Sequence, residues 1–176
     1  MIFLQGSPKL DRLPSGIPYG RLSGIVANHV PSYLQRNRMP SYATNCMEDW
    51  EEKVHAIARE TMHERMSLIS GIPNWVQMYF DKIIDRTGKK IKDVFPNFSL
   101  FVHGGVNFEP YRKQFDKIFG DKEVNYWQTY NASEGFFAIQ DLNNSSELLL
   151  MLDYGIFYEF IPANEFHEEN PTRVSL

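Results

Sequence analysis

From about residue 45 onward, segments with a helical apolar period alternate with short apolar runs, and this alternation narrows the available folds more than any other feature. Met47, Trp50, Val54, Ile57 and Thr61 recur at spacings of three and four, so a helix is expected to begin at Asn45 or Cys46. Glu48, Asp49, Glu51 and Glu52 load its first turns with acid, which suits the positive end of a helix dipole. The run MSLIS follows as a strand halted by Gly71. Pro73 then fits the first turn of a second helix, which carries Trp75, Val76, Tyr79, Phe80, Ile83 and Ile84 and ends near Gly88. FSLFVH reads as a strand running into Gly104-Gly105. Phe108, Tyr111, Phe115 and Ile118 line one face of a third helix that stops at Gly120. VNYWQTY is the next strand; FFAIQD, ELLLMLD and GIFYEFIP follow as strand-like runs, with Asn143-Asn144 as a turn. The order predicts an α/β fold: a mixed, partly parallel sheet with crossover helices, finishing in strands joined by short turns.

Residues 1–45 have a different character. Pro and Gly recur between Gly6 and Gly20 too densely for a regular helix. Only LSGIVANHVPSYL can carry a short helix, and Pro31 should break it. The expected division is an irregular Pro/Gly-rich segment, 1–45, packing on an α/β body, 46–176. Arg21, Arg36 and Arg38 lie there among aromatic neighbours; in an acidic chain they are expected to form ion pairs rather than to bind nucleic acid.

Composition excludes several function classes. A net charge of −4 provides no global basic field for nucleic acid or an anionic membrane. One cysteine, Cys46, precludes an internal disulfide framework and fits a reducing compartment. No apolar run approaches the roughly 20 residues of a membrane helix, and the first residues lack the basic and apolar regions of a secretory signal. A soluble, cytoplasmic protein is expected. No GxxxxGK[ST] or GxGxxG occurs, and the five histidines form no metal-ligand spacing with Cys46.

Two polar turns, HGGVNFEP and YNASEGF, fall at the carboxyl ends of neighbouring expected strands, where ligands bind in parallel sheets. In the second, Tyr130 offers a ring for stacking on a base, Ser133 a hydroxyl for a phosphate, and Glu134 a hard oxygen ligand for magnesium. The same residues also suit a plain polar turn with a solvated carboxylate. Gly104-Gly105 lets a flat ligand approach the backbone, or simply turns the chain from strand to helix. His103, beside it, is either a site residue or a satisfied strand-end histidine.

YNASEGFFAIQD followed by YGIFYEFIP resembles the auxin-responsive Gretchen-Hagen-three family, the acyl acid amido synthetases of the adenylate-forming superfamily. The pattern is Tyr130, Ser133 and Glu134, then Phe157, Tyr158, Glu159, Phe160 and Pro162. GRLSGIVANHVPSYLQRNRMPSY, ISGIPNWV and FVHGGVNFEPYRKQF look like bacterial members. The resemblance implies a ligase that activates a carboxylic acid with Mg-ATP as an acyl adenylate and passes it to an amine, an amino acid. It places Tyr130, Gly104 and Gly105 against adenine, Ser133 on phosphate and Glu134 on Mg2+, with Ser133 and Glu134 as the catalytic pair. The acyl pocket would run along His103, Val106, Phe136 and Phe137. The family's upstream Ser/Thr/Gly phosphate loop and downstream Tyr-Arg-x-Gly-Asp segment do not occur here, so a central fragment unable to complete adenylation alone is expected. Truncation would bare apolar surface, making dimerisation an expectation too. Two alternatives stay open: a thioester-forming ligase using coenzyme A, and a non-catalytic module that binds a nucleotide or a partner protein.

Overall fold

A computed structural model describes residues 1–121, 123–143 and 145–175. The chain enters the sheet at once through β1 (Ile2–Phe3), and Ile2 and Leu4 are buried. A small antiparallel hairpin follows, β2 (Asp11–Arg12) with β3 (Pro18–Tyr19). Three short helices come next: α1 (Leu22–Asn28), α2 (Ser32–Gln35) after Pro31, and α3 (Tyr42–Asn45). Met39 bridges in parallel to Ile2, so this segment also closes the outer edge of β1. The segment 1–45 is thus more than an irregular cover: its first residues belong to the sheet and the core. Two-residue strands of this kind carry no periodic signal, because their pairing is non-local.

The long helix expected from Asn45 or Cys46 instead begins at Trp50, as α4 (Trp50–Thr61). Two caps decide this. Ser41 accepts from the Thr44 amide and holds the single turn of α3, whereas Asp49 accepts from the Glu52 amide at 2.8 Å and starts α4. After β4 (Leu68–Ser70) comes α5 (Pro73–Thr87), with Pro73 at its first position and Gly88 beyond its end at φ +64°. A one-turn helix absent from the sequence expectation, α6 (Ile91–Val94), leads to β5 (Leu100–Gly104) and α7 (Glu109–Phe119).

β6 (Asn125–Ala132) then runs through Tyr130, so the polar stretch is strand and hairpin rather than a turn after a strand. It reverses at Ser133-Glu134 into β7 (Gly135–Ile139), with a register shift between Tyr130 and Asn131. ELLLMLD supplies only β8 (Leu149–Leu150), and GIFYEFIP only β9 (Glu159–Phe160). β9 pairs with β10 (Val174–Ser175) in a separate two-stranded sheet. Gly155, at φ +73°, turns the chain away before GIFYEFIP can extend the main sheet. Of the expected Asn143-Asn144 turn, Asn144 lies outside the described residues.

The main sheet has six strands in the order β1-β4-β5-β6-β7-β8; the first four run parallel and the last two pair antiparallel. The expected mixed, partly parallel α/β architecture is present, and its sheet is largely parallel. Alternation along the strands sends Ile2, Ile69 and Phe101 into one core shared with α4, α5 and α7. Phe80 lies at its centre, with ring centroids 5.6–6.4 Å from those of Phe98, Phe115 and Phe119. Deleting one such ring costs about 3–5 kcal/mol. Thr61, a polar residue on the apolar stripe of α4, donates to the Ile57 carbonyl, and its hydroxyl lies 2.7 Å from the buried Tyr79 hydroxyl. The pairing satisfies both hydroxyls and ties α4 to α5. On the opposite pleat, Phe3, Leu68, Leu100 and Val102 remain part-exposed. No helix among the described residues is long and apolar enough to cross a membrane.

Candidate functional site

The carboxyl ends of β4, β5 and β6, with the chain leaving β1, enclose a cleft of about 460 Å³. The parallel order creates it: each strand exits at the same edge of the sheet, and its following turn becomes a wall. One wall is Gly104-Gly105 with Thr129 and Asn131 from the adjacent strand; the floor is Gly71-Ile72; the facing wall is Gln5, Gly6 and Arg21.

The double glycine has a backbone reason of its own. A Cβ on Gly104 would stand 2.4 Å from the Thr129 carbonyl oxygen, because the two residues face each other across the parallel ladder. Gly105 has φ +81°, a conformation that favours glycine, and an added Cβ would meet only Ile72, at 3.8 Å. The first glycine lets two strands approach; the second aims the chain into α7 and leaves the cleft open. Thr129 Oγ1 donates to the His103 carbonyl at 3.3 Å, locking the two strand ends together.

His103 reaches the cleft wall, but its imidazole is 3% exposed and stacked on Phe108, centroids 4.0 Å apart. Its Nδ1 finds no partner among the described residues. Burial, reinforced by the Arg112 guanidinium, pushes its pKa down to about 4, so the ring is neutral near pH 7. A neutral imidazole held in this way is a packing element rather than a proton carrier at neutral pH.

Of the sequence-predicted residues, the structure brings His103, Gly104 and Gly105 to the cleft. Tyr130, Ser133 and Glu134 stand on the adjoining hairpin, and the residues lining the cleft there are Thr129 and Asn131. Tyr130 is exposed and packs beside Phe137, at 5.4 Å between centroids. Phe137 also approaches Tyr158, and Phe136 approaches Tyr154, so both phenylalanines are engaged by the chain's last third rather than by the cleft. Val106 is exposed beyond the glycine turn. Glu134 is exposed, and no hydrogen bond or ion pair among the described residues engages its carboxylate. No group of three or more His, Cys, Asp or Glu able to hold a metal occurs among the described residues. Magnesium commonly takes one or two carboxylates and completes its shell with water and phosphate, so a lone Glu134 fits as one ligand of that kind.

The sequence reading missed Arg21. It stands at the rim with its Nη1 only 3.3 Å from where a Cβ on Gly6 would lie. The ion pairs expected for Arg21, Arg36 and Arg38 do not form: among the described residues the pairs are Lys92–Asp121 and Arg112–Glu109. An unpaired guanidinium opening onto a cleft is available to a carboxylate or phosphate. The signal in the sequence was Gly20-Arg21, an arginine outside any helical charge pattern. Nothing local, however, tells that residue 21 faces residue 104.

The family model described as the GH3 family N-terminal domain matches residues 15–124, well over half of the chain. The matched span includes Arg21 and Gly104-Gly105 and ends before Tyr130. Among curated proteins none matches the chain. The chain belongs to the GH3 family, the auxin-responsive acyl acid amido synthetases.

Proposed function

We propose that this chain forms the substrate cleft and one wall of the nucleotide site of a ligase that joins a carboxylic acid to an amine, an amino acid, through an acyl adenylate. The observation that carries the reading is the unpaired Arg21 facing Gly104-Gly105 across the strand-end cleft, in a chain of the acyl acid amido synthetase family. About 460 Å³ falls within the range of small-molecule sites.

Arg21 and Ser23 suit the carboxylate of the acid, with Ile72 and Trp75 offering apolar surface to its body. ATP supplies the adenylate that turns the acid's hydroxyl oxygen into a leaving group. Gly105 leaves room for a flat base, and the exposed ring of Tyr130 on the neighbouring hairpin is free to stack on it. Ser133 can donate to a phosphate oxygen, and Glu134 would hold Mg2+ by one carboxylate. His103 keeps the β5 exit in place, because its ring is held by Phe108 and its carbonyl by Thr129.

The test is acid-dependent ATP–pyrophosphate exchange by the full-length protein that carries this chain. Arg21→Ala should raise KM for the acid by roughly 10–100-fold, the worth of one charge-assisted hydrogen-bonding group. Glu134→Ala should lower exchange by on the order of 100-fold at saturating magnesium. Wild-type exchange by Glu134→Ala would remove the metal role, and an unchanged KM in Arg21→Ala would remove the carboxylate role. Offering amino acids and coenzyme A to the activated acid and identifying the product distinguishes amide from thioester formation.

A further inference from the structure

Charge is divided sharply along this chain. Residues 1–46 carry five Lys or Arg against one acid, Asp11, whereas residues 131–176 carry eight Asp or Glu against one Arg, Arg173. Among the described residues none of these groups belongs to an ion pair. Both segments also expose large apolar side chains. In the first these include Ile17, Val26, Tyr33 and Tyr42; in the second, Tyr154, Phe157, Phe160 and Phe166. Tyr33 is 71% exposed and Phe157 78%. Aromatic rings among charges of one sign are what protein interfaces use, the rings for burial and the charges for choice of partner.

The fold keeps the two surfaces from meeting within one molecule. The Met1 amino group donates to the Asn37 carbonyl at 2.8 Å, and Met39 bridges Ile2; together they fix α2, with Tyr33 and the adjoining Arg36, beside β1. The acidic segment lies on the other side of the sheet, where it forms β7 and β8 and then the small β9–β10 sheet. β1 and β8 are the two edges of six strands, about 24 Å apart at roughly 4.8 Å per strand. The side chains of Arg36 and Asp153 are exposed and make no hydrogen bond or ion pair among the described residues.

A like-with-like contact between two copies would set acid against acid or base against base, which repels. A head-to-tail contact sets base against acid and ring against ring. We propose that the α1–α2 surface of one copy, with Tyr33 and Arg36, docks on the acidic aromatic surface of a second copy, with Asp153 and Phe157. The contact is heterologous, so every added copy leaves one surface of each kind open and association continues beyond two. The inference stands on charge and exposure and is independent of the activity read from the cleft.

Sedimentation velocity of the purified protein over a concentration series tests it. In dilute salt the average mass should rise with concentration past that of a dimer, with a Kd per junction on the order of 10 µM. In about 500 mM salt, where the screening length falls to roughly 4 Å, the junction should weaken by at least roughly 10-fold. The double variants Tyr33→Ser/Arg36→Gln and Asp153→Asn/Phe157→Ser each keep one surface intact. All four side chains are exposed, so melting temperatures should match the parent. Each variant alone should be monomeric, and the two mixed should form a 1:1 complex and nothing larger, because one intact junction is available. If either variant misfolds, the mass and salt dependence of the parent decide. A parent that stays monomeric well above that Kd, association that salt leaves unchanged or strengthens, or a folded variant that still self-associates would each overturn the proposal. So would a monomeric parent whose acidic surface takes up a basic amphipathic peptide instead.

Discussion

Acidification should weaken this fold through one side chain, His103. In the folded protein its pKa is pushed down to about 4 by burial against Phe108, with the Arg112 guanidinium opposing any added charge. In the unfolded chain it returns to about 6.5. Above that value both states are neutral and the histidine makes stability no different with pH. Between about 6.5 and 4 the unfolded state binds a proton that the folded state refuses, so stability falls as pH falls. Two and a half pH units at 1.36 kcal/mol per unit give a total loss of up to about 3 kcal/mol. The assay is urea unfolding of the wild type and His103→Phe from pH 8 to pH 4, with stability differences compared at each pH. Phenylalanine keeps an aromatic ring on Phe108 and removes the titration and the orphaned Nδ1. Surface carboxylates that titrate below pH 5 are common to both proteins and cancel in the difference. The wild type should match or fall slightly below the variant at neutral pH and lose ground steadily below pH 6.5. A difference that stays flat across the window, or a His103 ring signal titrating near 6.5 in the folded protein, refutes the reasoning.

Stability measurements at four more positions have definite expected outcomes. Gly104→Ala should destabilise by on the order of 3 kcal/mol, because its Cβ meets the Thr129 carbonyl oxygen at 2.4 Å and β6 must move. Gly88→Ala, at φ +64° with open space around it, should cost only about 1 kcal/mol, and unfolding midpoints separate the two. Asp49→Ala removes the cap on the Glu52 amide and should cost about 1 kcal/mol; Asp49→Asn should restore most of it. Glu134→Ala should leave the melting temperature unchanged, since the exposed turn carboxylate engages nothing among the described residues. A large stability loss there would make any change in activity uninterpretable as a metal effect.

How much of this was legible in the sequence depends on the range of the interaction behind each feature. Pro73 and Gly88 fix the ends of α5 through bonds within one turn, and the sequence places them correctly. The start of α4 was set too early because Met47 continues the apolar period while Asp49 supplies the cap, and the cap decides. β1 was invisible because two residues show no period; only their pairing to Ile69 and Ser70 makes them a strand. The same limit hid half of the cleft. The Gly104-Gly105 turn could be suspected from its position after a strand, whereas Arg21 enters the cleft only because β1 pairs beside β4 and draws the following residues over the strand ends.

The double glycine shows why a motif that is recognisable need not mean what it first suggests. Read as sequence, both glycines clear space for a ligand. In the structure Gly104 clears space for the Thr129 carbonyl and would be required in a sheet that bound nothing. Gly105 is different: its conformation needs glycine, but space remains where a side chain would project. The two positions can therefore be separated by alanine, which at 105 costs about 1 kcal/mol for the left-handed conformation while its methyl enters open space. Gly105→Ala should therefore destabilise far less than Gly104→Ala, whose methyl meets the Thr129 carbonyl oxygen. If the cleft takes a flat base against this turn, ATP binding should weaken by at least roughly 10-fold. Unchanged affinity would mean that Gly105, like Gly104, serves the backbone alone.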